Sequence, residues 1–237
     1  MTPMQYRSPA LKKFWINLRE VGTLISLSYT NEVTSRQRET NECLSRAAIL
    51  LLCSHIETFF EDLIIDILRF HESNQTSINM LPIHLKVIQI IRKQLSENLV
   101  PEKKWVILEG ISQSSFMDKT QRCSIGMFNA NLHLKGFASP GEENIENLFK
   151  GIGILKIWDL IQAKAATNNL KISLNNFVNR RNNITHGGST DKPTIGDVKT
   201  YIRDMCKITI IFNDIVTKYL TDDFNVENPW QVISPPI

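Results

Sequence analysis

Residues 41–70 constrain this chain more than any other part of it. Leu44, Ala48, Leu51, Leu52, His55, Phe59, Leu63 and Ile67 recur there at helical spacing and spread over a broad face. A face that wide has to be covered on several sides, which is the situation of a helix at the centre of a bundle. The remaining chain supplies helices to cover it. Ser8 and Pro9 cap and open a helix over about 9–33, carried by Leu11, Phe14, Trp15, Leu18, Val21, Ile25 and Tyr29. Residues 168–185 and 194–220 read as two more long helices, joined by a turn over 187–192. Four long helices with a short connection before the last predict an all-α fold, an antiparallel four-helix-type bundle.

The middle of the chain is less regular. Residues 72–80 are polar, 81–95 read as a helix with Pro82 near its start, and 110–141 read as loops with short elements. Helical character returns over 142–152, where Glu142 and Glu143 suit the positive N-terminal end. Residues 72–141 thus read as an insertion between two helical hairpins of a single domain spanning 1–237. Residues 222–237, with Pro229, Pro235 and Pro236, read as an irregular tail.

Bulk properties exclude some functions. At 237 residues and 42% hydrophobic, the chain can bury one large core. Its net charge of +3 does not announce nucleic-acid binding. Residues 159–218, however, hold nine Lys/Arg against five Asp and no Glu. That excess suits a phosphate-bearing partner, although a solvated basic face is its commoner cause. A DNA-binding helical protein would want a denser basic helix. Cys43, Cys53, Cys123 and Cys206 are scattered, without a C-x-x-C pair or a histidine at ligand spacing; Cys43, Cys53 and Cys206 sit in helical apolar patterns and read as core thiols, which fits a reduced, cytoplasmic setting. His71, His84 and His133 lack acid or cysteine partners at metal spacing, so no metal and no cofactor is expected. Residues 1–19 lack the apolar core of a signal peptide. The longest strongly apolar run, 47–53, is far too short to span a bilayer, so no membrane association is expected.

Residues 180–188 read Arg-Arg-Asn-Asn-Ile-Thr-His-Gly-Gly. Arg181 falls on the stripe of Leu170, Leu174, Phe177 and Ile184, where an apolar residue belongs. A charge there needs a partner or lies in a cleft. Asn182 and His186, four apart, share the neighbouring face. Arginine is a permanent cation suited to phosphate, and histidine exchanges protons near neutrality. Together they are a minimal kit for phosphodiester chemistry without a metal. Read for structure alone, the same residues are a helix end, with Gly187 in the left-handed cap position.

The chain resembles the HEPN superfamily (higher eukaryotes and prokaryotes nucleotide-binding). The mark of that superfamily is Arg-x4–6-His near the end of its third core helix, often with a polar residue after the arginine. Arg181, Asn182 and His186 match it, and Arg180 also falls within the allowed spacing, with five residues between it and His186. The apolar run into His55-x-Glu57-x-Phe59 and the segment Asp197-Val-Lys-Thr-Tyr-Ile202 are similar to the MAE_28990/MAE_18760-like branch. The resemblance implies a metal-independent endoribonuclease, active as a homodimer with the two motifs meeting in one cleft. It also implies service as a toxin with a partner antitoxin, or in antiphage defence. Some branches carry a tyrosine two residues after the histidine, which a nucleotidyltransferase antitoxin modifies; Gly188 stands there in this chain.

In such an enzyme His186 would act as general base or acid on the 2′-OH or the leaving 5′ oxygen. Arg181 would neutralise the charge growing on the phosphorane. Asn182 would orient the imidazole or hold a phosphate oxygen, or simply be an exposed polar residue. Glu57 could bond Arg181 or His186 across the bundle, but a solvated face is the favoured reading because Glu61 repeats it one turn later. The alternative function is a catalytically silent bundle that docks a nucleotidyltransferase or another partner. His55 reads as a core histidine, Gly151-Ile-Gly153 lacks the further glycines of a phosphate loop, and Trp105 reads as packing.

Overall fold

Ser8 and Pro9 start the first helix as their order predicts. In the computed structural model, which describes residues 7–31, 34–96, 116, 118, 120–165, 169–187 and 192–231, this helix (α1) spans Pro9–Ser26. Every N–H at its start is accounted for. Pro9 has none, Ala10 N–H donates to Asp66 Oδ2 at 2.8 Å, and Leu11 N–H donates to Ser8 Oγ at 3.1 Å. Ser8 N–H donates to Asn213 Oδ1 at 2.9 Å, so distant segments help to anchor the entry. The helix ends well before residue 33 because Asn41 holds the backbone of Tyr29 through both its amide oxygen and its amide nitrogen.

The second helix (α2), Ser35–Ser73, begins before residue 41. A capping box drives the earlier start: Gln37 N–H donates to Thr34 Oγ1, and Gln37 Oε1 accepts from Thr34 N–H. The later helices are α3 (Ile83–Ser96), α4 (Ala130–Leu134), α5 (Glu142–Gly151), α6 (Ile157–Ala165), α7 (Asn169–Thr185) and α8 (Ile195–Phe224). Apart from an isolated bridge between Ser77 and Arg122, the described residues are helices and their connections. Residues 97–115 of the expected insertion, Trp105 included, lie outside the described residues, as do Gly188 and 232–237 of the tail.

Side-chain pairings set the directions of the bundle. Ala10 meets Asp66 and Tyr29 meets Asn41, so α1 and α2 are antiparallel. Ser173 meets Asp204 and Phe177 meets Tyr201, so α7 and α8 are antiparallel too. Phe60 against Phe212 and Phe70 against Phe224 make α2 and α8 parallel, the relation of diagonal helices in an up-down bundle. Fully buried Phe59, Phe60, Phe149, Phe177 and Phe212 fill the space between them.

Residues of the expected insertion, among them Ile78, Leu81, Leu85 and Cys123, join this same core. Helix α6 has no counterpart in the sequence expectations. It is docked by Trp158, whose Nε1 donates to Glu142 O at 3.1 Å and whose ring stands edge-on to Phe212, and by Lys164 on Asp214 at 2.9 Å. Gly153 has φ of +95°, and a Cβ there would sit 2.6 Å from Pro82. The Gly151-Ile-Gly153 pair is therefore a close-packed turn. Helix α8 continues past residue 220 to Phe224, and the tail folds back so that Trp230 Nε1 donates to Thr217 Oγ1 at 2.8 Å.

Asp66 makes the fold pH-sensitive. Burial pushes its carboxyl from the ordinary 3.8 up to about 7, against the lowering effect of the Ala10 N–H bond. The folded state therefore holds this proton more tightly than the unfolded chain. The associated stability is complete below 3.8 and is lost as pH climbs through about 7. Thermal melts of wild type and Asp66→Asn between pH 4 and 8 should show wild type losing stability relative to the variant as pH rises. Parallel profiles would refute the assignment.

Candidate functional site

Helix α7 carries the Arg-x4-His motif at its C-terminal end, and its neighbours explain the charge on its apolar stripe. Arg181 reaches across to α2, where its Nη2 lies 3.5 Å from Glu57 Oε1. Its Nη1 donates to Asn182 Oδ1 at 3.1 Å. The Arg181 and Glu57 side chains are 27% and 23% exposed, so the pair is partly sheltered from solvent between α2 and α7. An ion pair of that exposure contributes only about 0–1 kcal/mol to stability. Its importance lies in where it holds the guanidinium.

The favoured reading of Glu57 as a solvated-face residue is thus corrected. Glu57 is half-buried between Cys53 and Arg181, and its Oε1 also accepts from Cys53 Sγ at 3.7 Å. Glu61 faces no comparable cation on α7; it lies near Asp62 and Lys13. Burial raises the Glu57 carboxyl above its ordinary range, while Arg181 and the Cys53 bond pull it back. Burial pushes the Cys53 thiol up to about 12, with Glu57 adding to the rise. Cys53 is therefore a neutral donor and no nucleophile. Reading the sequence for function missed Cys53, yet the signal was there, since it sits four residues before Glu57 on one helix face.

Arg180 goes elsewhere. Its Nη1 lies 3.4 Å from Asp197 Oδ2, the oxygen that also accepts from Thr194 N–H in the capping box of α8. Arg180 therefore braces the α7–α8 junction, and the two neighbouring arginines divide between α8 and α2.

His186 is exposed, and its imidazole has no hydrogen bond or ion pair with a described residue; the bond to Glu57 that was the alternative to Arg181 does not form. Its backbone N–H donates to Asn182 O at 2.9 Å, so helical bonding runs through His186. Only Gly187, with φ of +91°, breaks the helix in the left-handed conformation. The glycine thus performs the capping role that the structural reading gave it. Consecutive helical residues turn by about 100°, so Arg181 and His186 point roughly 140° apart. Arg181, Asn182 and Glu57 come together; His186 stands at the rim on another face.

His55 is buried on α2, as a core histidine should be, 3.3 Å from Glu20. Among the described residues no group of three or more His, Cys, Asp or Glu side chains could hold a metal, and no helix is long and apolar enough to cross a membrane.

An all-α bundle whose penultimate helix ends in Arg-Asn-x3-His, with the arginine turned toward α2, fits a HEPN domain. Residues 17–218 match the family described as RiboL-PSP-HEPN, and the chain belongs to it and so to the HEPN superfamily. The MAE_28990/MAE_18760-like branch is not the one this match names. No curated protein and no solved structure matches the chain. Membership points to a nucleotide- or RNA-related function.

Proposed function

We propose that this protein is a metal-independent endoribonuclease that works as a homodimer with a shared cleft. The observation that carries the reading is the pairing of a sheltered Arg181 with an exposed His186 whose imidazole no described residue engages. RNA supplies its own nucleophile. His186 removes the 2′-OH proton or protonates the leaving 5′ oxygen. Arg181 neutralises charge on the phosphorane oxygens, and the product carries a 2′,3′-cyclic phosphate. Asn182, bonded to the guanidinium, acts on Arg181 rather than on the imidazole. Glu57 holds Arg181 from the other side.

The helix geometry supports the dimeric reading. Helical bonding persists to His186, so no unwinding ahead of Gly187 turns the histidine toward its own Arg181. A second copy about a two-fold axis beside α7 provides the missing partner for each residue. Service as a toxin or antiphage effector, with a partner antitoxin, fits such an activity.

Mixing Arg181→Ala and His186→Ala proteins under exchange conditions tests this reading. If Arg181 of one copy works with His186 of the other, each mixed dimer keeps one intact site of two. With half of the dimers mixed, about a quarter of wild-type cleavage returns. No recovery, or full activity in a wild-type monomer, would overturn the shared site. A catalytically silent docking bundle is the reading selected if the wild-type dimer cleaves no RNA while stably binding a nucleotidyltransferase.

A further inference from the structure

A second site lies away from the motif. A cavity of about 400 Å³ opens between α3, α4 and α5, and none of its described lining residues comes from α2, α7 or α8. That volume is in the range of small-molecule pockets. Lys135, Lys150, His84 and His133 line it, and no carboxylate is among the described lining residues. The two lysines give the described lining an excess of positive charge, which favours an anion.

The rest of the lining is unlike a plain phosphate site. Phe137 forms part of the wall and is held edge-on against Phe60 at 6.4 Å, so its ring is presented in a fixed orientation. Asn147, exposed at the opening, offers both an amide donor and an acceptor. The backbone is drawn in as well: a Cβ on Gly151 would lie 2.8 Å from Ile88 Cδ1 and 3.5 Å from His133 Nδ1, so the glycine lets α5 close against His133.

We propose that this cavity binds a small phosphorylated ligand of mononucleotide size. Its phosphate lies among the lysines and histidines, its flat ring against Phe137, and a ring-edge amide contact is made by Asn147. Charge-assisted bonds from lysine hold the phosphate, and a ring stacked on an aromatic side chain gains affinity whichever base it carries.

Calorimetric titration of the full chain with adenosine monophosphate tests the proposal, with inorganic phosphate, adenosine and a single-stranded oligonucleotide as comparisons. The expected result is saturable one-to-one binding of the mononucleotide. Lys150→Glu, at an exposed position, should weaken it about tenfold or more, as losing a charged hydrogen bond does. Asn147→Asp should weaken it too, and His186→Ala should leave it unchanged. Unaltered melting curves would show that the variants are folded. Binding by phosphate alone or adenosine alone as tightly as by the nucleotide would overturn the proposal. So would binding only of the oligonucleotide, or binding lost in Arg181→Ala and kept in Lys150→Glu. Because the cavity and the motif share no described residue, either assignment can fail while the other stands.

Discussion

His186→Ala protein should cleave RNA about 10²–10⁴-fold more slowly than wild type, the usual worth of a general acid or base. Its helical content and melting temperature should be unchanged. The imidazole is exposed and makes no bond with a described residue, and truncating it leaves no cavity. An exposed substitution of that kind alters stability by no more than about 0.5 kcal/mol. Arg181→Ala should also abolish cleavage but should not be silent structurally. It leaves Glu57 half-buried without its cation, next to a Cys53 thiol already raised by burial. The diagnostic measurement is therefore cleavage by purified His186→Ala protein, with circular dichroism on the same sample. Rates equal to wild type would remove His186 from the chemistry.

Phe60→Ala should be the most damaging single truncation of the core. Phe60 is fully buried and its ring meets Phe59 at 5.2 Å, Phe212 at 4.8 Å, Phe149 at 6.2 Å and Phe137 at 6.4 Å. It ties α2 to α8, to α5 and to the segment after α4, so no single neighbour can move in to fill the space. Large-to-small changes at such a site cost about 3–5 kcal/mol. In a chain of this size that lowers the melting temperature by about 6–20 °C. Phe60→Leu, which keeps most of the volume, should cost less. Urea unfolding of both variants decides the matter, and a loss under about 1 kcal/mol for the alanine would mean that Phe60 is not the hub of the core.

The long helices were legible because each reports its own environment along the chain. Leu44 through Ile67 and Val198 through Tyr219 repeat at a period that a backbone helix alone imposes, and the Arg181–His186 spacing is likewise local. The early start of α2 has an equally local cause, the Thr34–Gln37 box. Asn41 holding Tyr29, by contrast, is a contact of α2 with the connection after α1 that no period displays. Helix α6 escaped notice because a short amphipathic segment says little until Phe212 and Glu142 receive its Trp158.

Periodicity and the motif alone thus determined that the chain is an all-α bundle and that Arg181 is a charge on an apolar stripe. What that charge does was decided only in three dimensions. Glu57 lies 124 residues away in the chain, and nothing in its own surroundings, with Glu61 one turn on, distinguishes it from a solvated glutamate. Folding brings α2 and α7 together, partly shelters the pair and makes one carboxylate the partner of one guanidinium. The same folding sends Arg180 to Asp197 and leaves His186 facing outward. Sequence spacing sets which residues share a helix, but electrostatic partners are chosen by which helices share a cleft.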